Sequence, residues 1–416
     1  MMIPVNLRSE VGRLKAVLLH RPGREIEAMT PENAHDALYS DVLNLNIVNQ
    51  EYGYFAGSLE KVAKVYYVQD LLETVLEHDD AAELLVRKSC SLDGCGFLAD
   101  ELLGHDSKTL ARELIEGFVY RKGKDPDSFA ERRYLLRPLY NLFFTRDASS
   151  CVYRRALINS MSFDVRNRES LIYKTIFELL FEANTLRAQK HDSKARTEGG
   201  DIHIVKDGLL CIGNGIRTNR NGIDFLVDEF RNYDDTFSFV VQELPHSPES
   251  FIHLDMVFTF LGPHRCMAYE PMIRKQGIFS NMHTYVITTS NDRTETREYN
   301  NILEALKYVG VDLEPVICGG NDSWMQQREQ WHSGANFFSF GENHIIGYRR
   351  NSHTIDALDK TGFEVLNAED VSEGKVNPWD YKQCVVTFAA SELPRGGGGA
   401  RCMTCPISRE AVDWNL

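Results

Sequence analysis

The sequence predicts an α/β fold in which about five β-hairpin-plus-helix units form a radial array of propeller type. Two observations support this prediction. A strand–turn–strand pattern recurs along the chain, with helical segments between the later strands. Leucine-rich helical periodicity occupies residues 71–136 without an obvious strand signal. We therefore divide the chain into a main α/β domain, residues 1–70 and 137–416, and an inserted helical bundle, residues 71–136.

The recurring pattern consists of two short apolar runs joined by a tight turn. The chain opens with one apolar run at residues 14–19, which a Pro-Gly turn closes. Asp207-Gly208 is a typical hairpin turn between two such runs. The four predicted hairpins span residues 151–158, 202–212, 256–269 and 337–348.

Helix signals lie on either side of these hairpins. Thr30 followed by Pro31 predicts a helix that begins there and continues through Leu45, and residues 62–68 form a second short strand. Residues 300–309 and 352–362 predict two later helices. We interpret the leucine-rich insertion as a structural or oligomerisation element without chemistry of its own.

Composition excludes several classes of function. The chain has 416 residues, with 46 Lys+Arg against 60 Asp+Glu and a formal net charge of −14. This charge argues against a nucleic-acid partner and is compatible with a cationic substrate. No apolar segment has the length of a signal peptide or a membrane span, so we expect a cytoplasmic protein. Nine scattered cysteines, an odd number, indicate reduced thiols rather than a disulfide framework.

A glycine run near the C-terminus directs attention to one cysteine. Four consecutive glycines, residues 396–399, closely precede Cys402, and such a run permits close backbone approach to a ligand. Arg401 is placed to favour the thiolate, so Cys402 is the candidate nucleophile. The Cys402-x-x-Cys405 spacing also allows a redox pair or half of a zinc site. No second C-x-x-C and no H-x3-H pattern completes such a zinc site.

Polar clusters precede the predicted hairpins. Asp147 comes before the first hairpin, Glu198 before the second, and His253 with Asp255 before the third; we assign residues 319–321 to the fourth. Radial units would bring these residues together at the axis. Each cluster alone is also compatible with a polar turn or a surface His–Asp pair, and an Asp/Glu/His metal site stays open.

Together these residues describe one chemistry. Neighbouring carboxylates of Asp147 and Asp255 suit a planar guanidinium, which offers paired N–H donors. Cys402 can then attack the guanidinium carbon, and His253 can protonate departing ammonia and later activate water. Glu198 beside His253 would orient the imidazole and raise its pKa.

Six motifs occur in order along the chain: Phe144-Thr145-Arg146-Asp147, Glu198-Gly199-Gly200-Asp201, His253-Leu254-Asp255, Gly319-Gly320-Asn321, Arg328-Glu329-Gln330-Trp331 and Cys402-Met403-Thr404-Cys405-Pro406. Together they resemble the arginine deiminase family over essentially the whole chain. The resemblance implies a five-bladed pseudo-symmetric ββαβ propeller with an inserted helical bundle. It also implies a homo-oligomer, and hydrolysis of L-arginine to L-citrulline and ammonia without metal or cofactor.

The resemblance assigns a role to each matching residue. Cys402 is implied to form a covalent amidino-thioether intermediate, with His253 as general acid and base and Glu198 as its partner. Asp147 and Asp255 are implied to hold the guanidinium. The other positions that match the family's substrate pocket are Asn141, Phe144, Arg166, Asp201 and Arg217. Arg166 and Arg217 match arginines that bind the substrate carboxylate.

One position departs from the family pattern. Gly397 stands where the family usually has an arginine that binds the substrate carboxylate. Either Arg401 or Arg395 substitutes for it, or the carboxylate is held more weakly. The alternatives are a related guanidine-modifying enzyme, namely an amidinotransferase or a deiminase of agmatine or a modified arginine, and an inactive guanidine-binding protein.

Overall fold

The computed structural model describes residues 2–120, 133–290 and 293–414. Within these residues, 22 strands form seven sheets. The strands are Ile3–Pro4 (β1), Leu14–Leu19 (β2), Lys64–Tyr67 (β3), Phe118–Tyr120 (β4), Arg133–Leu136 (β5), Ser149–Val152 (β6), Arg155–Ile158 (β7), Phe181–Glu182 (β8), Asn184–Leu186 (β9), Ile202–Lys206 (β10), Leu209–Asn214 (β11), Thr236–Glu243 (β12), Phe258–Gly262 (β13), Arg265–Ala268 (β14), Thr284–Ser290 (β15), Arg293–Tyr299 (β16), Glu314–Ile317 (β17), Phe338–Gly341 (β18), His344–Tyr348 (β19), Glu364–Asn367 (β20), Cys384–Phe388 (β21) and Cys405–Arg409 (β22).

Helices connect most of these strands, and no helix among the described residues is long and apolar enough to cross a membrane. The α-helices are Arg24–Glu27 (α1), Leu45–Val62 (α2), Val68–Leu76 (α3), Asp79–Leu92 (α4), Ala99–Leu103 (α5), Ser107–Glu116 (α6), Asn167–Leu180 (α7), Ala188–His191 (α8), Arg220–Phe230 (α9), Glu270–Ile273 (α10), Ile302–Tyr308 (α11), Ser323–Trp331 (α12), Ser352–Lys360 (α13) and Ala368–Ser372 (α14). The short 3₁₀ helices are Gly96–Leu98, Asp164–Arg166, Gly199–Asp201, Glu249–Phe251, Leu254–Met256, Gly277–Phe279, Pro378–Asp380 and Leu393–Gly396.

Five sheets share one pairing pattern, in which two antiparallel strands are followed by a third strand parallel to the second. These three-strand sets are β22-β2-β3, β6-β7-β9, β10-β11-β12, β13-β14-β17 and β18-β19-β21. We call them units one to five in that order. The four predicted hairpins are confirmed as the first two strands of units two to five. Unit one takes its first strand from the C-terminus, so β22 pairs with β2 near the N-terminus.

The central strands are buried because neighbouring elements cover them. Every residue of β19 and β21 is buried, and both strands are mostly aliphatic or aromatic. A strand covered on both faces has a continuous apolar run rather than an alternating one. The predicted helices near residues 300–309 and 352–362 are confirmed as α11 and α13.

The helix predicted from Thr30 is wrong. Residues 31–38 form turns instead, and the Asn33 side chain accepts the N–H of Thr30 at 2.7 Å. Leu38 has a φ of +68°, which a right-handed helix does not permit. The first long helix is α2, which Asn44 caps by accepting the N–H groups of Asn46 and Ile47.

The leucine-rich insertion contains helices α3 to α6, as predicted, but it also contains strands. β4 and β5 pair antiparallel near its C-terminal end, so the prediction of helix throughout residues 71–136 is wrong there. Residues 121–132 lie outside the described part of the chain. The apolar faces of these helices share one hydrophobic cluster with α7 and unit two.

Helix α2 holds the segment that leads into the glycine loop. Glu51 is buried on this helix, and its carboxylate accepts the backbone N–H groups of Ser391, Glu392 and Leu393, the last at 3.1 Å. No backbone carbonyl among the described residues accepts these N–H groups in place of Glu51. The position of the loop therefore depends on a helix more than 300 residues earlier in the chain.

We expect Glu51→Ala to lower the free energy of unfolding by about 1–3 kcal/mol, because it leaves buried N–H donors without an acceptor. Urea denaturation measures this change. Glu60→Ala is the matched control on the same helix, since Glu60 is exposed and pairs with Arg21 at the surface. The control should change stability by less than about 0.5 kcal/mol. Equal losses in both variants would contradict this account.

Candidate active site

A cavity forms where the loops before the strands of several units meet. The predicted site residues that line it are Asn141, Phe144, Asp147, Arg166, Arg217, His253 and Cys402. Glu198 and Asp255 are buried behind this layer and contact His253 and Cys402, and Asp201 is buried with them and accepts the N–H of Leu254. The structure therefore brings the predicted residues together, in two layers around one cavity.

Each of the five units contributes a polar residue from just before its first strand. Asp147 precedes β6, Asp201 precedes β10, Asp255 precedes β13, Asn336 precedes β18, and Cys402 precedes β22. All five are buried. Sequence analysis missed Asn336, although its position directly before the fourth predicted hairpin, residues 337–348, is the signal that would have found it.

The assignment of residues 319–321 to this site is wrong. Gly319 and Gly320 form a turn after β17, each with positive φ, and Asn321 is exposed. The strand that precedes this turn belongs to unit four, so the segment is not the approach to unit five. The following motif lies on α12, where Gln330 Nε2 donates to Ser250 O at 2.6 Å.

The glycine run allows the loop to pass close to other side chains. A Cβ on Gly398 would lie 2.4 Å from Phe144 Cε1, and one on Gly399 would lie 2.7 Å from Asn336 Cβ. Gly397 has a φ of +83° and faces open space. Residues 398 and 399 are therefore glycine for lack of room, whereas residue 397 has room but an unfavourable φ.

Cys402 lies at the inner end of the cavity. Its Sγ is 3.7 Å from Asp255 Oδ2 and 3.2 Å from Asn336 Nδ2. Burial raises the pKa of the Cys402 thiol well above its usual value, and the nearby charges of Asp255 and Asp147 raise it further. The charge of Arg401 lowers the pKa of Cys402, as predicted, but burial and the two carboxylates raise this pKa more. Cys402 is a neutral thiol in this state.

His253 occupies the N-cap position of the 3₁₀ turn Leu254–Met256. Its Nε2 is 3.0 Å from Glu198 Oε2, and its Nδ1 is 3.9 Å from Asp147 Oδ1. Burial lowers the pKa of His253, but Asp147 and Glu198 raise it more, to about 9. The ring is therefore an imidazolium at neutral pH and can act as an acid.

Glu198 is the anion that orients His253. Its Oε1 accepts the N–H of Ser162 at 2.9 Å, and its Oε2 lies 3.1 Å from Arg217 Nη1. Burial raises the pKa of Glu198, but Arg217 and His253 lower it to about 2. Glu198 is thus ionised at neutral pH, and its negative charge favours the protonated form of His253.

Asp147 and Asp255 each pair with an arginine of the protein. Arg166 Nη1 donates to Asp147 Oδ2 at 2.6 Å and also pairs with Glu169. Arg401 Nη1 donates to Asp255 Oδ2 at 2.9 Å. Asp147 Oδ1 is buried and has no hydrogen-bond partner among the described residues. This oxygen is available to a donor that occupies the cavity.

Asp201 positions the third-hairpin cluster rather than lining the cavity. Its Oδ1 accepts the N–H of Leu254 at 2.9 Å, between His253 and Asp255. Burial raises the pKa of Asp201 to about 7. Asn141, by contrast, lines the cavity and is fixed by its Nδ2, which donates to Ala37 O at 2.8 Å.

Neither candidate arginine takes the place left by Gly397. Arg395 is half-exposed and pairs with Asp41 at 2.6 Å, and it does not line the cavity. Arg401 is buried and pairs with Glu10 and Asp255. The cationic side chains that do line the cavity are Arg166 and Arg217, with His253.

One group of potential metal ligands occurs among the described residues. Ligand atoms of Asp147, Glu198 and His253 lie within 4.8 Å of one another. However, Arg166 and Arg217 already pair with the two carboxylates, and an imidazolium has no lone pair for a metal. The donor set therefore favours a cationic organic group over a metal ion.

The chain shares its α/β fold with solved guanidine-modifying enzymes. A DDAH from Pseudomonas aeruginosa complexed with citrulline superposes with a TM-score of 0.51 at 13% identity, covering 94% of this chain and 99% of that chain. The product-bound N-terminal domain of ArgZ, an arginine dihydrolase from cyanobacteria, superposes with a TM-score of 0.52 at 12% identity. This match covers 95% of this chain and 97% of that one.

Sequence comparison identifies the family within this class. The family model of arginine deiminase matches residues 35–409. The arginine deiminase of Limosilactobacillus reuteri is 30% identical over 436 residues, with 99% of both chains covered. That of Clostridium perfringens is 31% identical over 437 residues, with 98% of both covered. The chain belongs to the arginine deiminase family.

The raised pKa of His253 is directly measurable. Because the folded-state pKa of about 9 exceeds the unfolded value, protonation of His253 stabilises the fold. This contribution is complete below about pH 6.5 and is lost as the pH rises through about 9. We expect Glu198→Gln, which removes the neighbouring charge, to lower the pKa of His253 by about one unit or more.

NMR titration of histidine-labelled protein measures this pKa, and the spectrum of His253→Asn identifies the signal. Glu298→Gln is the control, since Glu298 pairs with the exposed His283 and should leave His253 unchanged. A wild-type pKa at or below about 6.5 would contradict the role assigned to Glu198.

Proposed function

We propose that this protein hydrolyses L-arginine to L-citrulline and ammonia. Membership of the arginine deiminase family supports this activity. The observation that carries it is the joint placement of three groups around one cavity. They are the Cys402 thiol, the His253 imidazolium and the unpartnered Asp147 Oδ1.

The substrate guanidinium would bind between Asp147 and Asp255. Its N–H groups would donate to Asp147 Oδ1 and to the Asp255 carboxylate, whose Oδ2 is 3.7 Å from Cys402 Sγ. A cation at this position lowers the pKa of Cys402, because it offsets the carboxylate charges that favour the neutral thiol. Substrate binding would therefore help to form the thiolate that attacks it.

The other predicted residues would bind the rest of the substrate. Asn141 and Phe144 line the cavity, with Phe144 packed against Gly398 of the loop. Arg166 and Arg217 are the proposed partners of the substrate carboxylate. Each already pairs with an acidic side chain, so the substrate carboxylate would share these guanidinium groups.

The reaction would proceed through a covalent intermediate. The Cys402 thiol would first release its proton to water, because His253 is already protonated. The thiolate then attacks the guanidinium carbon and a C–S bond forms; His253 gives its proton to one guanidinium nitrogen, and the C–N bond to that nitrogen breaks to release ammonia. The resulting amidino-thioether is attacked by water, whose proton His253 accepts. The C–S bond then breaks as the added hydroxyl becomes the carbonyl of citrulline, and the hydroxyl proton passes to the departing sulfur, which restores the Cys402 thiol. These steps use only side chains of the chain and water, and need no metal or cofactor.

We also propose that the five units close radially into a five-bladed ββαβ propeller, with residues 71–136 as an inserted helical domain. The shared pairing pattern and the polar residue before each first strand support a radial arrangement. A homo-oligomer of two or more copies in the cytoplasm is part of the same proposal. Light scattering of the purified protein tests the oligomeric state.

A colorimetric citrulline assay with L-arginine tests the activity. We expect turnover by the wild type and a loss of roughly a thousandfold or more in Cys402→Ala. Cys405→Ala is the matched control, because Cys405 lies on β22 and its Sγ faces Ser149 rather than the cavity. Agmatine and N-methylated arginines are tested alongside, with an added amine to detect amidino transfer. Turnover of only these compounds would replace arginine as the substrate.

We expect Gly397→Arg to lower the KM for arginine by about tenfold, since a charge-assisted contact to the substrate carboxylate contributes more than 1 kcal/mol. Residue 397 lines the cavity and has open space around it. Gly397→Gln carries the same backbone strain without the charge, so it isolates the electrostatic effect. If both variants had the wild-type KM, weak binding of the carboxylate at this loop would be refuted.

A further inference from the structure

Five polar residues precede the first strands of units one to five, and Asn336 is the one among them that carries no ionisable group. It lies two residues before β18, and its side chain is 1% exposed. Its amide contacts two other units at once. Nδ2 lies 3.2 Å from Cys402 Sγ and 3.1 Å from Asp255 O, while Oδ1 lies 2.9 Å from Arg401 N.

The orientation of this amide is determined by its neighbours. Oδ1 faces two backbone N–H donors, those of Arg401 and Cys402, the second at 3.2 Å. Two donors require an acceptor, so the oxygen cannot be exchanged with the nitrogen. The NH₂ group must therefore face Asp255 O and Cys402 Sγ. Met256 Sδ lies farther from the same nitrogen, at 3.7 Å, so Asp255 O and Cys402 Sγ are its two nearest acceptors.

We propose that Asn336 is a positioning residue of the reaction, which holds Cys402 Sγ against the guanidinium site and stabilises the thiolate as it forms. This inference rests on the proposed role of Cys402 as nucleophile. Asn336 acts through Cys402 and does not line the cavity.

The stabilisation follows from the change in charge on sulfur. An N–H donor binds a thiolate more strongly than a thiol, because the bond becomes charge-assisted. Cys402 is buried beside two carboxylates, which oppose its ionisation. A neutral amide provides a hydrogen-bond donor at Sγ without introducing a further charge. An aspartate there would keep an acceptor for the backbone N–H groups but would replace the donor with a third negative charge.

The positioning follows from the packing of the amide. Asn336 fixes the backbone of Arg401 and Cys402 through one atom and the backbone of Asp255 through another. Gly399 packs against it so closely that a Cβ there would lie 2.7 Å from Asn336 Oδ1. The Asn336 side chain thus fixes the position of Cys402 relative to Asp255.

The first experiment compares Asn336→Asp with Asn351→Asp. Asn351 is equally buried at 1% exposure, and its Nδ2 donates to His332 O, away from Cys402. Alkylation of Cys402 by iodoacetamide is followed across pH, with peptide mass spectrometry to identify the modified cysteine. We expect Asn336→Asp to slow alkylation at pH 7 at least tenfold and to move its pH midpoint upward. Asn351→Asp should leave both unchanged.

Steady-state kinetics distinguish positioning from a general structural role. We expect kcat for arginine to fall at least tenfold in Asn336→Asp, with KM within about threefold of wild type, because the interaction strengthens only as sulfur becomes charged. An unchanged alkylation profile and an unchanged kcat in the folded variant would overturn the proposal. Absence of arginine turnover by the wild type would refute the proposed function but leave the alkylation test valid.

A measurement on the unsubstituted side chain does not depend on whether the variant folds. In protein labelled with ¹⁵N-asparagine, the Asn336 side-chain NH₂ signal should shift with pH through the same midpoint as Cys402 alkylation. The shift should be absent in Cys402→Ala. An Asn336 signal that does not respond to the ionisation of Cys402 would overturn the proposal.

Discussion

The pairing of buried charges is the constraint on which this site depends. Arg401 is 1% exposed, and its guanidinium binds Glu10, Asp255 and the carbonyl of Ile202. A charge this deep is tolerated only when its hydrogen bonds are satisfied. These partners come from the N-terminal segment and from units three and four. The residue next to Cys402 therefore anchors the C-terminal loop to distant parts of the chain.

The same principle determines which ligand suits the cavity. Each of the three carboxylates closest to Cys402 and His253 already pairs with an arginine: Arg166 with Asp147, Arg217 with Glu198, and Arg401 with Asp255. Because guanidinium groups of the protein already bind these carboxylates, the geometry of the carboxylates suits a guanidinium of the substrate. The resting charges are a neutral thiol and an imidazolium. In the proposed mechanism, an incoming cation would shift this balance towards the reactive thiolate.

Much of the site was predictable from the sequence because its chemistry depends on residue type. Cys402, His253 and Glu198 were recognisable from their motifs and from what a guanidine requires. Asn336 was not, because a lone asparagine in a loop has no distinctive pattern. Its position before the fourth hairpin was overlooked in favour of residues 319–321, a more conspicuous glycine-rich turn.

The fold shows the same division. The hairpins of units two to five were predictable because each depends on two short apolar runs and the turn between them. The pairing of β22 with β2 was not, since it joins the two ends of the chain. The predicted helix at Thr30 failed because Leu38 adopts a left-handed φ within the following turn. The strands β4 and β5 were not predicted, because the helical leucine pattern that precedes them was extended to residue 136.

The sequence by itself determined the helical and hairpin segments and the reactive groups, because both depend on neighbouring residues and on side-chain type. Only the tertiary structure decided the ionisation states, the arginine paired with each carboxylate, and the amide at Cys402. Burial depth and distances between remote residues control these properties. Arg401 illustrates the difference. Its charge is evident in the sequence, but its effect on Cys402 is outweighed by burial and by two carboxylates that the fold brings beside the sulfur.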